Sequence, residues 1–329
     1  DRARDGEALT YFEFGTLTAL DVFRRRGVDV AVLEVGLGGR LDAVNAVDAD
    51  VAAVVSIGLD HVDWLGGEIE GIAREKAGIF RRNRPAVFGS TAVPKSIVDV
   101  ADSIGAHLRI LGRDFQFECH AGSWTWRDAS RSLQDLPLPP LAGAHQFGNA
   151  ATAISAVLAL EPEIPVAAIR AGLLATRLAG RLQRLDEGAG PAAEIVVDVG
   201  HNPDAAARIA EFLLAQPKPT TAVLAMLADK DAAGFVRELA PLVDRWHLAS
   251  LSGERGRSAG ALALALESAG LPVVVQPHST VAGAAETALA QAPPNGRVLV
   301  LGSFHTVAEF LVYFDARLAQ SGTGAQTGK

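Results

Sequence analysis

The chain has 329 residues, room for two domains of ordinary size, and its 49% hydrophobic and 21% charged residues are those of a globular protein rather than a disordered one. A formal net charge of -8 argues against bulk attraction to nucleic acid or to an anionic membrane. The single cysteine, Cys119, excludes an intrachain disulfide framework and a cysteine-built zinc site, and no apolar run is long enough to span a bilayer.

The first residues, Asp-Arg-Ala-Arg-Asp-Gly-Glu, show no initiator methionine, signal peptide or transit pattern, and the chain is expected to begin inside a longer protein. Apolar spacing predicts a helix over Thr16–Arg26, buried strands over Val28–Val35 and Val51–Ile57, and a helix over Glu68–Phe80. Between Leu108 and Leu136 the texture changes. Phe115–Cys119, Ser123–Arg127 and Ser132–Leu136 read as small antiparallel strands, closed by the Pro-rich piece Leu136–Leu141. A helix over Asn149–Leu160 leads to a domain boundary near Thr176–Gly180. Beyond it, strands Ile195–Val199, Thr221–Leu227, Trp246–Leu251, Val273–Val275 and Val298–Leu301 alternate with helices Asp204–Ala215, Ala232–Leu242, Ala259–Ser268 and Thr280–Ala290. Continuous apolar strands in strand–helix–strand order imply parallel sheets covered on both faces. The polar, Gly-rich tail from Gln320 to Lys329 is expected to be disordered.

Three residues near the N-terminus carry chemistry. Glu34 closes the predicted strand Val28–Val35 and is followed by Gly-Leu-Gly-Gly-Arg. Ligands of open α/β sheets bind outside the carboxyl ends of strands, and a carboxylate there, beside backbone that permits close approach, suits hydrated Mg²⁺ near phosphate. A carboxylate that merely caps the next turn is the other reading. The next strand runs into Gly58, Leu59, Asp60 and His61, a second candidate metal or phosphate contact. On the helix over Glu68–Phe80, Ile69, Ile72, Ala73 and Phe80 form one apolar stripe with Lys76 in its middle. A lysine on a buried face needs a partner, a chemical change, or a snorkelling stem.

The segments YFEFGTL, VLEVGLGGRLDAVN, SIGLDHVDWLG and IAREKAGIF, in this order, strongly resemble the folylpolyglutamate synthase/dihydrofolate synthase family of the Mur ligase superfamily. The resemblance implies a parallel-sheet α/β ATPase domain of Mur ligase type, incomplete at its N-terminus, over residues 1–179, then a smaller Rossmann-like α/β domain over 180–319 and a tail over 320–329. It implies that Glu34 helps hold Mg²⁺ near the ATP phosphates, that His61 serves a second metal site, and that Lys76 is carbamylated to support that site. The family grips phosphates with a Gly-rich loop ending in Gly-Lys-Ser or Gly-Lys-Thr. No G-x-x-x-x-G-K-[ST] occurs here; the Gly-Lys pair of the chain is Gly328–Lys329. The family places that loop before YFEF, so it is expected ahead of Asp1, and residues 1–329 alone are expected to be inactive.

Further along, His145–Asn149 reads H-Q-F-G-N. By resemblance Asn149 lies near the adenine and Gln146 faces the nucleotide, with helix N-capping as the other reading. Ala-Gly-Arg replaces the usual Pro-Gly-Arg, and its Arg181 approaches the nucleotide phosphates by resemblance, a task for a planar, permanently charged fork. The strand over Ile195–Val199 runs into D-V-G-H-N-P where the family has Asp-Gly-Ala-His-Asn-Pro. There Asp198 is expected to contact the nucleotide and His201 to lie near the reacting groups, while Asn202 could simply build the turn. Asp229–Lys230–Asp231 and Gly302–Ser303–Phe304 also match at strand ends, where they could equally serve the turns.

The implied reaction is ATP-dependent addition of L-glutamate to dihydropteroate or a reduced folate through an acyl phosphate, with Lys76 and His201 as catalytic groups. ATP, Mg²⁺ and a monovalent cation such as K⁺ are the implied cofactors, in a cytoplasmic monomer with small-molecule substrates and no nucleic acid or membrane partner. The rivals are a Mur-type peptidoglycan precursor ligase and a nicotinamide-dependent oxidoreductase of two Rossmann-like domains. The absent G-x-G-x-x-G argues against the second.

Overall fold

The computed structural model describes residues 6–58, 66–185, 193–271 and 273–320. The chain divides into two compact units, the first made of Asp1–Leu138 and Phe147–Ala171, the second of Pro139–Gln146 and Gly172–Lys329.

In the first unit, helix α1 (Tyr11–Arg26) starts at a capping box in which Thr10 and Glu13 exchange side-chain and backbone bonds, and it ends at Gly27 with φ +60°. None of its residues is buried. Strands β1 (Ala52–Val54), β2 (Pro85–Phe88) and β3 (His107–Ile110) pair in parallel in that order. Helices α2 (Ile69–Ala77) and α3 (Lys95–Ile104) cover them, burying Ala73, Ala77, Ile97 and Ala101 with Ala86 and Phe88. Strands β4 (Phe115–Cys119), β5 (Ser123–Asp128) and β6 (Ser132–Pro137) form an antiparallel sheet. Trp124 and Trp126 of β5 have no exposed surface; Trp126 Nε1 donates to the Ala151 carbonyl at 3.2 Å and Phe147 stacks on Phe117, which fixes helix α4 (His145–Leu160) to this sheet. Helix α5 (Val166–Ala175) follows.

The second unit is a sheet of six strands in the order β11-β10-β9-β12-β8-β7. These are β7 (Gln183–Leu185), β8 (Glu194–Asp198), β9 (Thr220–Leu224), β10 (Arg245–Ala249), β11 (Val275–His278) and β12 (Arg297–Leu301), all parallel except β7, which runs antiparallel to β8. Alternate residues of one strand enter opposite cores. Val196, Leu224 and Leu299 pack on one face with Ile209 and Phe235, whereas Val197, Val223 and Val300 pack on the other with Ala285 and Phe310. Each such side chain contributes about 1.5–3 kcal/mol when fully buried. Among the described residues five helices cover the sheet: α6 (Pro203–Ala215), α7 (Ala232–Leu239), α8 (Ala259–Ser268), α9 (Val281–Gln291) and α10 (Phe304–Gln320). Each of the first four starts at a polar cap, Asn202, Asp231, Ser258 and Thr280, whose side chain accepts a backbone N–H of the first turn.

One expectation is corrected. Val28–Val35 forms no strand among the described residues, and Val30 and Val32 are 58% and 90% exposed. An apolar run becomes a buried strand only when a neighbouring strand takes its hydrogen bonds, and these residues meet none. Glu34 therefore stands on an exposed segment rather than at a strand end. The strands β2, β3 and β7 and the helices α3, α5 and α10 were not expected from periodicity. The polar tail beyond Gln320 and His61 lie outside the described residues. Among the described residues no helix is long and apolar enough to cross a membrane.

Candidate active site

The first unit presents Glu34, Lys76 and Asn149. Glu34 is exposed, and two residues later the chain enters the glycine loop Gly36–Arg40. Asp42 shapes that loop: its Oδ2 accepts the N–H groups of Gly36 and Leu37, both at 3.0 Å, and its Oδ1 accepts that of Val44 at 2.9 Å. Lys76 sits in the last turn of α2, half-buried rather than enclosed, while Ile72, Ala73 and Ala77 face the core. The loop and this helix touch. A Cβ on Gly39 would lie 2.6 Å from the Glu75 carbonyl and 3.0 Å from Lys76 Cα, so no other residue fits there without a shift. The Arg40 N–H donates to the Glu75 carbonyl at 2.9 Å, and its guanidinium pairs with the Glu75 carboxylate. Asn149 is exposed on the second turn of α4.

Among the described residues no three of His, Cys, Asp and Glu gather around one point. An exposed carboxylate beside a glycine loop nevertheless fits Mg²⁺, which keeps most of its waters and takes one or two carboxylates. Lys76 as an ammonium has no lone pair to offer a metal; only as a carbamate does it fit that task.

In the second unit the polar groups gather at the carboxyl ends of β8, β9 and β12. Asp198 closes β8; it is buried, with Oδ2 accepting the Leu182 N–H at 2.8 Å and Oδ1 the Gly200 N–H at 2.7 Å. Burial raises its pKa, opposed by those two bonds and by the charges of Arg181 and His145. Arg181 lies over the ring of Phe304, 5.4 Å from its centroid. Gln146 is buried, its amide nitrogen 3.1 Å from His145 Nε2. Burial pushes the His145 pKa down, with Arg208 adding to the effect. Asn202 serves as the cap of α6, its Oδ1 accepting the Ala205 N–H at 2.8 Å.

His201 Nδ1 lies 2.9 Å from the Val199 carbonyl. A carbonyl only accepts, so Nδ1 carries the proton, and in the neutral ring Nε2 keeps a lone pair. The same ring lines a cavity of about 110 Å³ with Leu227, Lys230, Gly302, Ser303, Phe304 and His305. Gly302 has φ +113°, and a Cβ there would run into the Ala225 carbonyl, so only glycine turns the chain from β12 into this cavity. Thr306 Oγ1 donates to that carbonyl at 2.7 Å and Ser303 Oγ lies 2.6 Å from Thr306 Oγ1, which locks the cavity wall.

The structure thus brings Asp198, Arg181 and His201 to one sheet edge in the second unit, and the loop after Glu34 onto the Lys76 helix in the first. Sequence reasoning missed Asp42, Asn45 and His305. Asp42 had a signal in its position, a short polar side chain just after a glycine loop, and His305 in following a strand end; Asn45 had none.

Residues 7–109 match the Mur ligase middle domain and residues 180–304 the Mur ligase glutamate ligase domain. The dihydrofolate synthase/folylpolyglutamate synthase of Escherichia coli is 44% identical over 319 residues, covering 96% of this chain and 72% of that protein. The structure of E. coli FolC in complex with DHPP and ADP superposes with a TM-score of 0.89 at 44% identity, over 96% of this chain and 73% of that one. A bifunctional folylpolyglutamate synthase/dihydrofolate synthase with Mn, AMPPNP and L-glutamate bound gives 0.84 at 44% identity, over 94% and 73%. With nearly all of its length matched in these proteins, the chain belongs to the dihydrofolate synthase/folylpolyglutamate synthase family of Mur ligases.

Proposed function

We propose that this chain carries the metal-holding and glutamate-holding groups of an ATP-dependent ligase that adds L-glutamate to dihydropteroate or reduced folates. The observation that carries the reading is the small cavity in which Lys230, His201, His305 and Ser303 converge at the sheet edge. The Lys230 ammonium on its wall suits a carboxylate of an amino acid. In the reaction, a substrate carboxylate oxygen attacks the γ-phosphorus of ATP, ADP leaves, and an acyl phosphate forms. The glutamate amine then attacks the acyl carbon, phosphate leaves, and an amide remains.

His201 Nε2, its lone pair set by the Val199 contact, takes the proton that the amine must lose. Arg181 and Asp198 address the nucleotide, together with Gln146, and Asn149 in the first unit faces the adenine. Glu34 would hold Mg²⁺, and Lys76 as a carbamate would supply oxygens to a second site to which His61 also belongs; a bound divalent ion neutralises charge on the transferring phosphoryl group. A monovalent cation such as K⁺ is a further proposed cofactor. The protein works as a cytoplasmic monomer.

The test is release of ADP by the cellular gene product containing this chain, given ATP, L-glutamate and either dihydropteroate or tetrahydrofolate. Lys230→Ala should raise KM for L-glutamate at least tenfold while leaving KM for ATP within about twofold. ADP release only with a nucleotide-sugar peptide precursor, or an unchanged glutamate KM in the variant, would overturn the assignment.

A further inference from the structure

Asp42 and Asn45 belong to no ligand contact described above, yet their polar atoms are committed to the glycine loop. We infer that they are positioning residues which lock the loop beside Glu34 onto the helix of Lys76, and so set the geometry of the metal-holding groups. The inference rests on the reading of Glu34 and Lys76 as those groups.

The case is built from hydrogen bonds that cross the sequence. Asp42 gathers the N–H groups of Gly36, Leu37 and Val44 on one carboxylate, which closes the loop directly after Glu34. Asn45 Nδ2 donates twice, to the Arg40 carbonyl at 3.0 Å at the end of the loop and to the Gly78 carbonyl at 3.1 Å just past the helix. Its Oδ1 accepts from Arg81 Nη2 at 2.9 Å, and the same guanidinium nitrogen reaches the Asn45 carbonyl at 2.8 Å. One amide therefore ties the end of the loop at Arg40 to Gly78, which lies 33 residues beyond Asn45 itself. The glycines complete the fit from both sides. Gly39 lies against the backbone of Glu75 and Lys76, and a side chain on Gly78 would strike Arg40.

These bonds differ from those of an ordinary turn. A turn needs Asp42 for its own N–H groups, but it does not need Asn45 to reach the far end of another element. Nor does the junction rest on a buried core: no residue of the one-turn helix Ala43–Ala46 is buried. What holds the loop in register is directional, and a slip of one bond would move Glu34 relative to Lys76. Metal sites tolerate little of this, because the ligands must keep their distances.

Two isosteric variants test it in the intact enzyme. Asn45→Asp keeps the acceptor for Arg81 but removes both donors, and Asp42→Asn weakens the three-way acceptor. Activity is measured against Mn²⁺ concentration and against L-glutamate, with thermal unfolding alongside. The expected result is a Mn²⁺ midpoint raised tenfold or more by Asn45→Asp, with KM for L-glutamate within about twofold. An unchanged Mn²⁺ midpoint would overturn the inference, as would a loss of kcat that merely follows the folded fraction. Glu34→Gln separates the two levels. If it leaves the Mn²⁺ midpoint unmoved, the metal reading itself falls; if it raises the midpoint and Asn45→Asp does not, only the bracing role falls.

Discussion

His247 makes the second unit acid-sensitive in a way that can be calculated. It lies in the middle of β10, with no exposed surface, its Nδ1 3.0 Å from Nε2 of His278 on the neighbouring β11, and its own Nε2 without a hydrogen-bond partner. Burial, with His278 and Arg245 adding repulsion, lowers its pKa from 6.5 to about 4. The folded value lies below the unfolded one, so the unfolded chain binds more protons and stability falls as pH falls. The contribution is whole above about pH 6.5, declines as pH drops, and is lost below about pH 4. Between pH 7 and pH 5 the linkage integral for such a shift is about 1–2 kcal/mol. The assay is a urea gradient at both pH values, with pulsed hydrogen exchange reporting the midpoint of β10 in the wild type and in His247→Leu. The wild-type midpoint should fall more than the variant's by an amount matching that energy. Equal falls would refute the reasoning, since they would place the pH dependence elsewhere.

Three further outcomes follow from other residues. Glu194 takes Arg184, Lys218 and the fully buried Arg297 on one carboxylate, so Glu194→Ala strands a buried guanidinium and should cost about 3–5 kcal/mol in urea unfolding of the second unit. Gly302→Ala forces a side chain against the Ala225 carbonyl at positive φ; a loss above about 1 kcal/mol is expected in thermal unfolding, together with a higher glutamate KM. Gly39→Ala should lower metal-dependent activity, because its new methyl must push the loop away from Glu75 and Lys76; Mn²⁺ titration of the variant checks this.

The second unit was the more legible from sequence, and the reason lies in its strands. Ile195, Val196 and Val197 are apolar on both faces because both faces are covered, so a plain run of β-branched residues marks the strand. The helix predicted over Ala259–Ser268 matches the structure residue for residue, and Ser258 marks its start as a cap. Phe304–Gln320 was missed although it is the longest helix of the unit, since its start is hidden in the Gly-Ser-Phe turn. The short strands β2 and β3 were missed because Pro85 and His107 open them, residues that read as turn or surface. At the candidate site, motif order singled out Glu34 and Lys76, but Val28–Val35 shows the limit of periodicity: it reports what a segment would do with a partner, not whether one is there. Asn45 was illegible for a related cause. Its two acceptors are carbonyls of residues far apart in sequence, and backbone atoms leave no mark in the string of side chains.

Helix α1 carries a consequence for proteolysis. None of its residues is fully buried, and what sustains it is mostly local: the Thr10–Glu13 capping box, the Gly27 turn and the Asp21–Arg25 pair, with the Phe12 ring against Gly36. A helix of that length with so little burial lies close to its own melting balance. None of its residues joins a buried core, and it ends on Arg24, Arg25 and Arg26. A protease that cuts after arginine would meet those three bonds at the rate of helix fraying, long before either sheet unfolds, and the first fragment released from residues 1–329 should end there.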